Sequence, residues 1–184
     1  MRRTEALAID LSSLDSDRDG APAGLQSHWF LVEVMKKVLI FIAYSHADKK
    51  YLEGLTRHLS VLEREGLVRV WYDGCITAGE NWDASIRRSL QEADVVLLLI
   101  SAEFIASQYC YSVEMQAAID RHKRREALVV PIIIRDSGWQ ELPIGELQAL
   151  PEGSLPVARW RDREAAYLSI IRGIRAALAA AFDE

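Results

Sequence analysis

Apolar residues along the chain fall into two textures that alternate from residue 38 to the end. One is the short unbroken run; the other recurs every three or four positions. The runs 38–43 (VLIFIA) and 94–101 (DVVLLLIS) contain almost no polar residue, which predicts strands covered on both faces. LVRVWYD (67–73) and ALVVPIIIR (127–135) predict two more strands, and Pro131 places the second at an edge or a bulge. SHADKKYLEGLTRHLSVLEREG (45–66) puts Tyr51, Leu52, Leu55, Leu59 and Leu62 on one helical face and stops at Gly66. WDASIRRSLQEA (82–93) and DREAAYLSIIRGIRAALAAAF (162–182) predict further helices. Residues 136–154 read as irregular with a short helical turn, and LPVAR (155–159) as a last short strand. Strands alternating with helices predict an α/β fold, a parallel sheet with helices on both faces.

One helix poses a chemical question. SQYCYSVEMQAAI (107–119) opens with Ser107 as an N-cap and then sets Cys110, Val113, Glu114, Ala117 and Ala118 on one stripe. Four of these are small or apolar, as a buried face requires, and the fifth is a carboxylate. Turning an unpaired charge inward costs several kcal/mol unless something compensates it. Two readings stand: Glu114 pairs with an arginine or caps a helix end, or it waits for a cationic partner. RHKRRE (121–126) closes the same helix with charges that complement its macrodipole.

Composition narrows the field. The chain has 184 residues and a formal net charge of -5, with half its residues hydrophobic. That suits one compact domain plus an appendage. The acidic balance argues against a nucleic-acid surface, and no apolar run approaches the roughly 20 residues of a membrane span. Acidic residues interrupt the first twenty positions, against a secretory signal. Two cysteines, Cys75 and Cys110, make neither a disulfide framework nor a metal set, so a reducing cytoplasm is expected. Residues 1–36 are rich in Ser, Asp, Gly and Ala and read as a loosely ordered extension, with Met35 a candidate natural start; the patterned domain occupies 37–184. DSDRDG (15–20) imitates a calcium loop, but Gln26 stands where a bidentate Glu is wanted and Pro22 interrupts it, which favours a solvated acidic turn.

In open parallel sheets, ligands bind beyond the carboxyl ends of the strands. Those ends are AYSH (43–46), WYDG (71–74), LISAEF (99–104) and IIRDSG (133–138), with neither a dinucleotide glycine fingerprint nor a P-loop. A phospho-acceptor receiver would need an acidic cluster after the first strand and an Asp ending the third, and has neither. Taken in order, FIAYSHAD (41–48), WYDGCITAGENW (71–82), SAEFIASQYCYSVEM (101–115) and LPVARW (155–160) resemble the signatures of a TIR (Toll/interleukin-1 receptor) domain of bacterial type. The resemblance runs from Lys36 to about Ala181. It implies a flavodoxin-like fold with a five-stranded parallel sheet. It also implies one of two activities, cleavage of NAD+ or non-enzymatic scaffolding through TIR–TIR contacts.

In enzymatic members a Glu on this helix is catalytic, and Glu114 occupies the matching place. Nicotinamide is already a cationic leaving group and departs neutral, so a single carboxylate that stabilises oxocarbenium charge suffices, unlike the pair that ordinary glycosides require. Tyr44, Ser45, Asp73, Trp82 and Tyr109 are candidate substrate-binding residues. Ser45 is equally a helix cap, Asp73 equally a turn residue, and Trp82 divides between stacking and packing. Trp71 reads as core, Cys110 as a small buried residue, and His46 lacks a partnered nucleophile. Receptor-type members carry an aromatic four residues before the Glu, whereas Tyr109 stands five before it and Cys110 four. The loop Gly74, Cys75, Ile76, Thr77, Ala78 and Gly79 resembles the family's BB loop, with Ala78-Gly79 where Pro-Gly is frequent. The expected partners are NAD+ as substrate, further TIR copies in an oligomer or filament, and a sensor domain or partner protein. No other cofactor and no metal are expected. The implied activity is an NAD+ glycohydrolase or ADP-ribose cyclase in antiphage defence or cell-death signalling.

Overall fold

The computed structural model describes residues 37–182; the leader with its DSDRDG turn lies outside the described residues. Four strands form a parallel sheet of order β2-β1-β3-β4, comprising β1 (Val38–Ala43), β2 (Val68–Trp71), β3 (Val95–Ile100) and β4 (Leu128–Ile133). The two all-apolar runs, β1 and β3, are the interior strands, and Pro131 sits in an edge strand, as its missing N–H demands.

Alternation along the strands divides the core in two. Ile40, Ile42, Val95, Leu97 and Leu99 face α1 (Lys49–Arg64) and α5 (Arg163–Phe182). Leu39, Phe41, Ala43, Val96, Leu98 and Ile100 face α2 (Trp82–Glu92), the short α3 (Ala102–Ala106) and α4 (Gln116–Lys123). All five apolar residues expected on one face of α1 are buried there. That helix ends in a Schellman motif: Gly66 takes φ +76, its N–H reaches the Glu63 carbonyl at 3.0 Å, and the Leu67 N–H reaches Leu62 at 3.1 Å. α5 is long and apolar enough to cross a membrane, contrary to the expectation that no segment would be. Its Ala166, Tyr167, Ile170, Ile171, Ile174 and Leu178 are buried against the sheet.

The expected fifth strand is replaced by something shorter. LPVAR forms a single 3-10 turn, Val157–Arg159. Beside β4 the chain makes one isolated bridge, Ile132 with Leu150, through bonds of 2.7 and 2.8 Å. After Leu150 the chain turns away from β4 through the 3-10 turn Glu152–Ser154, and Pro156 beyond it has no N–H to resume pairing, so the contact stays a single bridge. Residues 136–154 otherwise carry short 3-10 turns, as their irregular pattern suggests.

Candidate active site

The order β2-β1-β3 brings three loops together at the carboxyl edge of the sheet, around the topological switch point. β1 delivers Tyr44, Ser45 and His46; β2 delivers Asp73; the chain after β3 delivers the helix that carries Glu114. A cavity of about 270 Å³ lies between them. All six residues proposed from sequence as catalytic or substrate-binding line it: Glu114, Tyr44, Ser45, Asp73, Trp82 and Tyr109. Ile42, Ile86, Ser107 and Cys110 complete the wall, together with His46.

Ser107 caps the Glu114 helix, its hydroxyl accepting the Cys110 N–H at 3.3 Å. The helix does not continue as a regular α-helix. Cys110–Met115 form a π-helical turn before α4 takes over. Its i→i+5 bonding fits one extra residue into the turn. Residues five apart then share a face, as residues four apart do in an α-helix. This explains how Tyr109, five positions before Glu114, reaches the same cavity, and why the one-residue offset in the sequence does not displace it.

Glu114 is 5% exposed, and no Lys, Arg or His among the described residues forms an ion pair with it. Burial drives its carboxyl up to about 7 against the partial relief of the Cys110 thiol, and the negative Asp73 adds to the rise. Cys110 is itself pushed up to about 12, chiefly by burial, which keeps it a neutral thiol rather than a nucleophile; it donates weakly to the Tyr44 carbonyl at 3.5 Å. The phenols of Tyr44 and Tyr109 are raised well above their ordinary range, first by burial and then by hydrogen bonds to Asp73 and Asp83. Both therefore remain neutral donors.

The aromatic wall is built from two elements. Trp82 opens α2, which Asn81 caps by accepting the Ala84 N–H at 2.9 Å. The Trp82 ring meets Tyr109 at 4.7 Å between centroids, tilted by 47°. The Tyr109 hydroxyl donates to Asp83 at 3.0 Å, and Asp83 in turn holds Arg87 at 2.8 Å. Trp71 stacks on Phe41 at 5.1 Å and belongs to the core, away from the cavity.

Asp73 differs most from its expected part. One oxygen accepts the Tyr44 hydroxyl at 2.7 Å and the other contacts His46 Nε2 at 2.5 Å. His46 therefore has a partner that the sequence reading did not give it. The signal lay in the topology: β1 and β2 are parallel neighbours, so the loops after them must meet. An adjoining open hollow of about 470 Å³ shares Tyr44, His46 and Asp73 and adds Lys49, Tyr72 and Gly74. None of the BB-like loop residues 74–79 is among the cavity's lining; Gly74, Cys75, Thr77, Ala78 and Gly79 are exposed, and Ile76 is half-buried against the core. Gly79 takes φ +94, which favours glycine there.

A second polar cluster carries no signature in the sequence. Asp48, fully buried, accepts the Ser101 hydroxyl at 2.6 Å and pairs with Arg135 at 2.6 Å; Arg135 also contacts Glu103. It ties the ends of β1, β3 and β4 together behind the site. Nothing in the spacing of Asp48 and Arg135 marks them as partners.

A parallel sheet ordered 2-1-3-4, with a carboxylate-bearing cavity beyond its carboxyl ends, defines a protein of the flavodoxin-like class. A family model for the TIR domain matches residues 40–169, and the chain belongs to that family. It is 42% identical over 138 residues to the uncharacterized protein y4lF of Sinorhizobium fredii, covering 75% of this chain and 43% of that protein's length. The TIR domain of the Toll-related receptor TRR-2 from Hydra magnipapillata is similar in fold, with TM-score 0.52 and 17% identity over 74% of this chain and 97% of that one. The TIR domains of the activated Roq1 resistosome, which directly recognizes the pathogen effector XopQ, match more loosely. Their TM-score is 0.47 and their identity 15%, over 80% of this chain and 76% of that one.

Proposed function

We infer that this domain cleaves NAD+ at the bond between nicotinamide and ribose, with Glu114 as its catalytic carboxylate. The observation that carries the reading is a buried acid with no cation paired to it among the described residues, opening on a cavity walled by Tyr44, Trp82 and Tyr109. A carboxylate in such a setting attracts a positive charge strongly, because little water screens it. The ribosyl oxocarbenium that develops as nicotinamide leaves is such a charge. The ring of the nicotinamide finds an aromatic wall, and the ribose hydroxyls find Ser45 and the neutral phenols.

A cavity of about 270 Å³ suits the nicotinamide-ribose end but not a whole dinucleotide. The rest of the substrate extends over the adjoining hollow, where Lys49 supplies a positive charge for phosphate, and against a second TIR copy. Activity on this reading depends on assembly. Depletion of NAD+ in a bacterial cytoplasm would serve antiphage defence or cell-death signalling. A purely scaffolding role is the second reading, favoured by the exposed loop around Cys75, Thr77 and Gly79 and by Trp82, 43% exposed beside it.

The deciding experiment incubates concentrated protein with NAD+ and follows nicotinamide release. The parent releases it and Glu114→Ala does not, with both proteins folded. Equal release by the two would remove Glu114 from the mechanism, and no release by either would leave the scaffolding role.

A further inference from the structure

We propose that His46, held by Asp73, is the base that activates water in this site, so that the cavity hydrolyses the ribosyl group rather than cyclising it. The proposal rests on the NAD+-cleaving reading above and concerns its second substrate. His46 opens the turn after β1, and Asp73 follows β2. The paired strands Phe41–Trp71 bring the two loops side by side. Asp73 is only 16% exposed, and two contacts fix it: the Tyr44 hydroxyl at 2.7 Å and His46 Nε2 at 2.5 Å.

A carboxylate that accepts the Nε2 proton sets the tautomer of the neutral ring and leaves Nδ1 as the acceptor. Carboxylate–imidazole pairs of this kind orient and strengthen a general base. The placement of the two candidate groups divides their work. Glu114 is 5% exposed and meets the cationic sugar where water is scarce. The His46 side chain is 72% exposed, lines the same cavity and also borders the adjoining hollow, so solvent reaches it. An acid buried in the wall cannot both hold the sugar and collect water from outside; the imidazole at the rim can do the second.

The step balances. The C–N bond breaks with its electron pair passing to nicotinamide, which leaves neutral. Water oxygen forms the new bond to the anomeric carbon while its proton passes to His46 Nδ1, and the imidazolium releases that proton to solvent. NAD+ and water become ADP-ribose, nicotinamide and one proton. Cyclisation would instead use a nucleophile already carried by the substrate.

The test compares two nucleophiles in concentrated full-length protein. Water needs deprotonation; a pyridine such as 3-acetylpyridine attacks through a ring lone pair and does not. His46→Gln keeps an N–H for Asp73 but offers no base. Hydrolysis is expected to fall about a hundredfold in this variant, and the ratio of 3-acetylpyridine exchange to hydrolysis to rise by a similar factor. Parallel loss of both reactions, or loss of neither, would show that the dyad only ties two loops together and would overturn the proposal. A parent that makes mainly cyclic product would overturn it as well. A parent inert toward both nucleophiles contradicts the NAD+ reading itself and takes this proposal with it.

Discussion

Replacing Glu114 with glutamine separates what the carboxyl does for stability from what it does for chemistry. Burial lifts its pKa from 4.5 to about 7, so the native state holds a proton that the unfolded chain has lost. The sign follows from proton linkage: where the native state binds more protons, stability falls as pH rises. Below the unfolded value both states are protonated and nothing is lost. Between 4.5 and about 7 the loss accumulates, and above the folded value it is complete. At about 1.4 kcal/mol for each tenfold change in proton affinity, the full loss comes to about 3 kcal/mol. Glutamine occupies nearly the same volume and carries no such dependence. Glu114→Gln should therefore melt above the parent at pH 8 and close to it at pH 5. For a domain of this size the gap between the two conditions is about 5–10 °C. Thermal melts of both proteins at both pH values measure it. An equal difference at the two pH values would refute the reasoning, because the carboxyl would then titrate alike in folded and unfolded chains.

Other outcomes are specific enough to fail. Cleavage of NAD+ should rise about tenfold per pH unit below 7 as Glu114 ionises and level off above it, read as kcat/KM on free enzyme. Trp82→Ala should raise KM about tenfold by removing half of the aromatic pair with Tyr109, with the melting temperature little changed. Arg135→Ala leaves the buried Asp48 without its cation and should destabilise the domain by ~3 kcal/mol in urea unfolding. At Gly54 an added Cβ would lie 2.4 Å from the Tyr167 ring, so Gly54→Ala should cost about 1–3 kcal/mol in the same assay. If assembly completes the site, specific activity should fall steeply on dilution, and a flat dilution series would argue for a self-sufficient protomer.

What the sequence disclosed depended on how local each signal was. The buried face of α1 and its glycine stop are set by neighbours within a few turns, and both were legible. So was the unbroken apolar character of β1 and β3, which follows from cover on both faces of each strand. Glu114 was legible as an anomaly, a charge on a stripe that otherwise packs. The pairing of His46 with Asp73 was not, because it joins residues 27 apart through the order of strands in the sheet. The same holds for Asp48 with Ser101, 53 apart. The expected fifth strand fails because Pro156 and the 3-10 turn Glu152–Ser154, both just upstream of Val157–Arg159, leave no extended run to form a ladder. The apolar length of α5 is masked in the sequence by the three arginines spaced along it.

The widened turn at Cys110–Met115 has a further implication for how such a pocket changes over time. A helix able to absorb one surplus residue in a single coil lets the polypeptide lengthen or shorten upstream while its acidic anchor stays put. The side chain presented opposite that anchor can then be exchanged without rebuilding the scaffold beneath it.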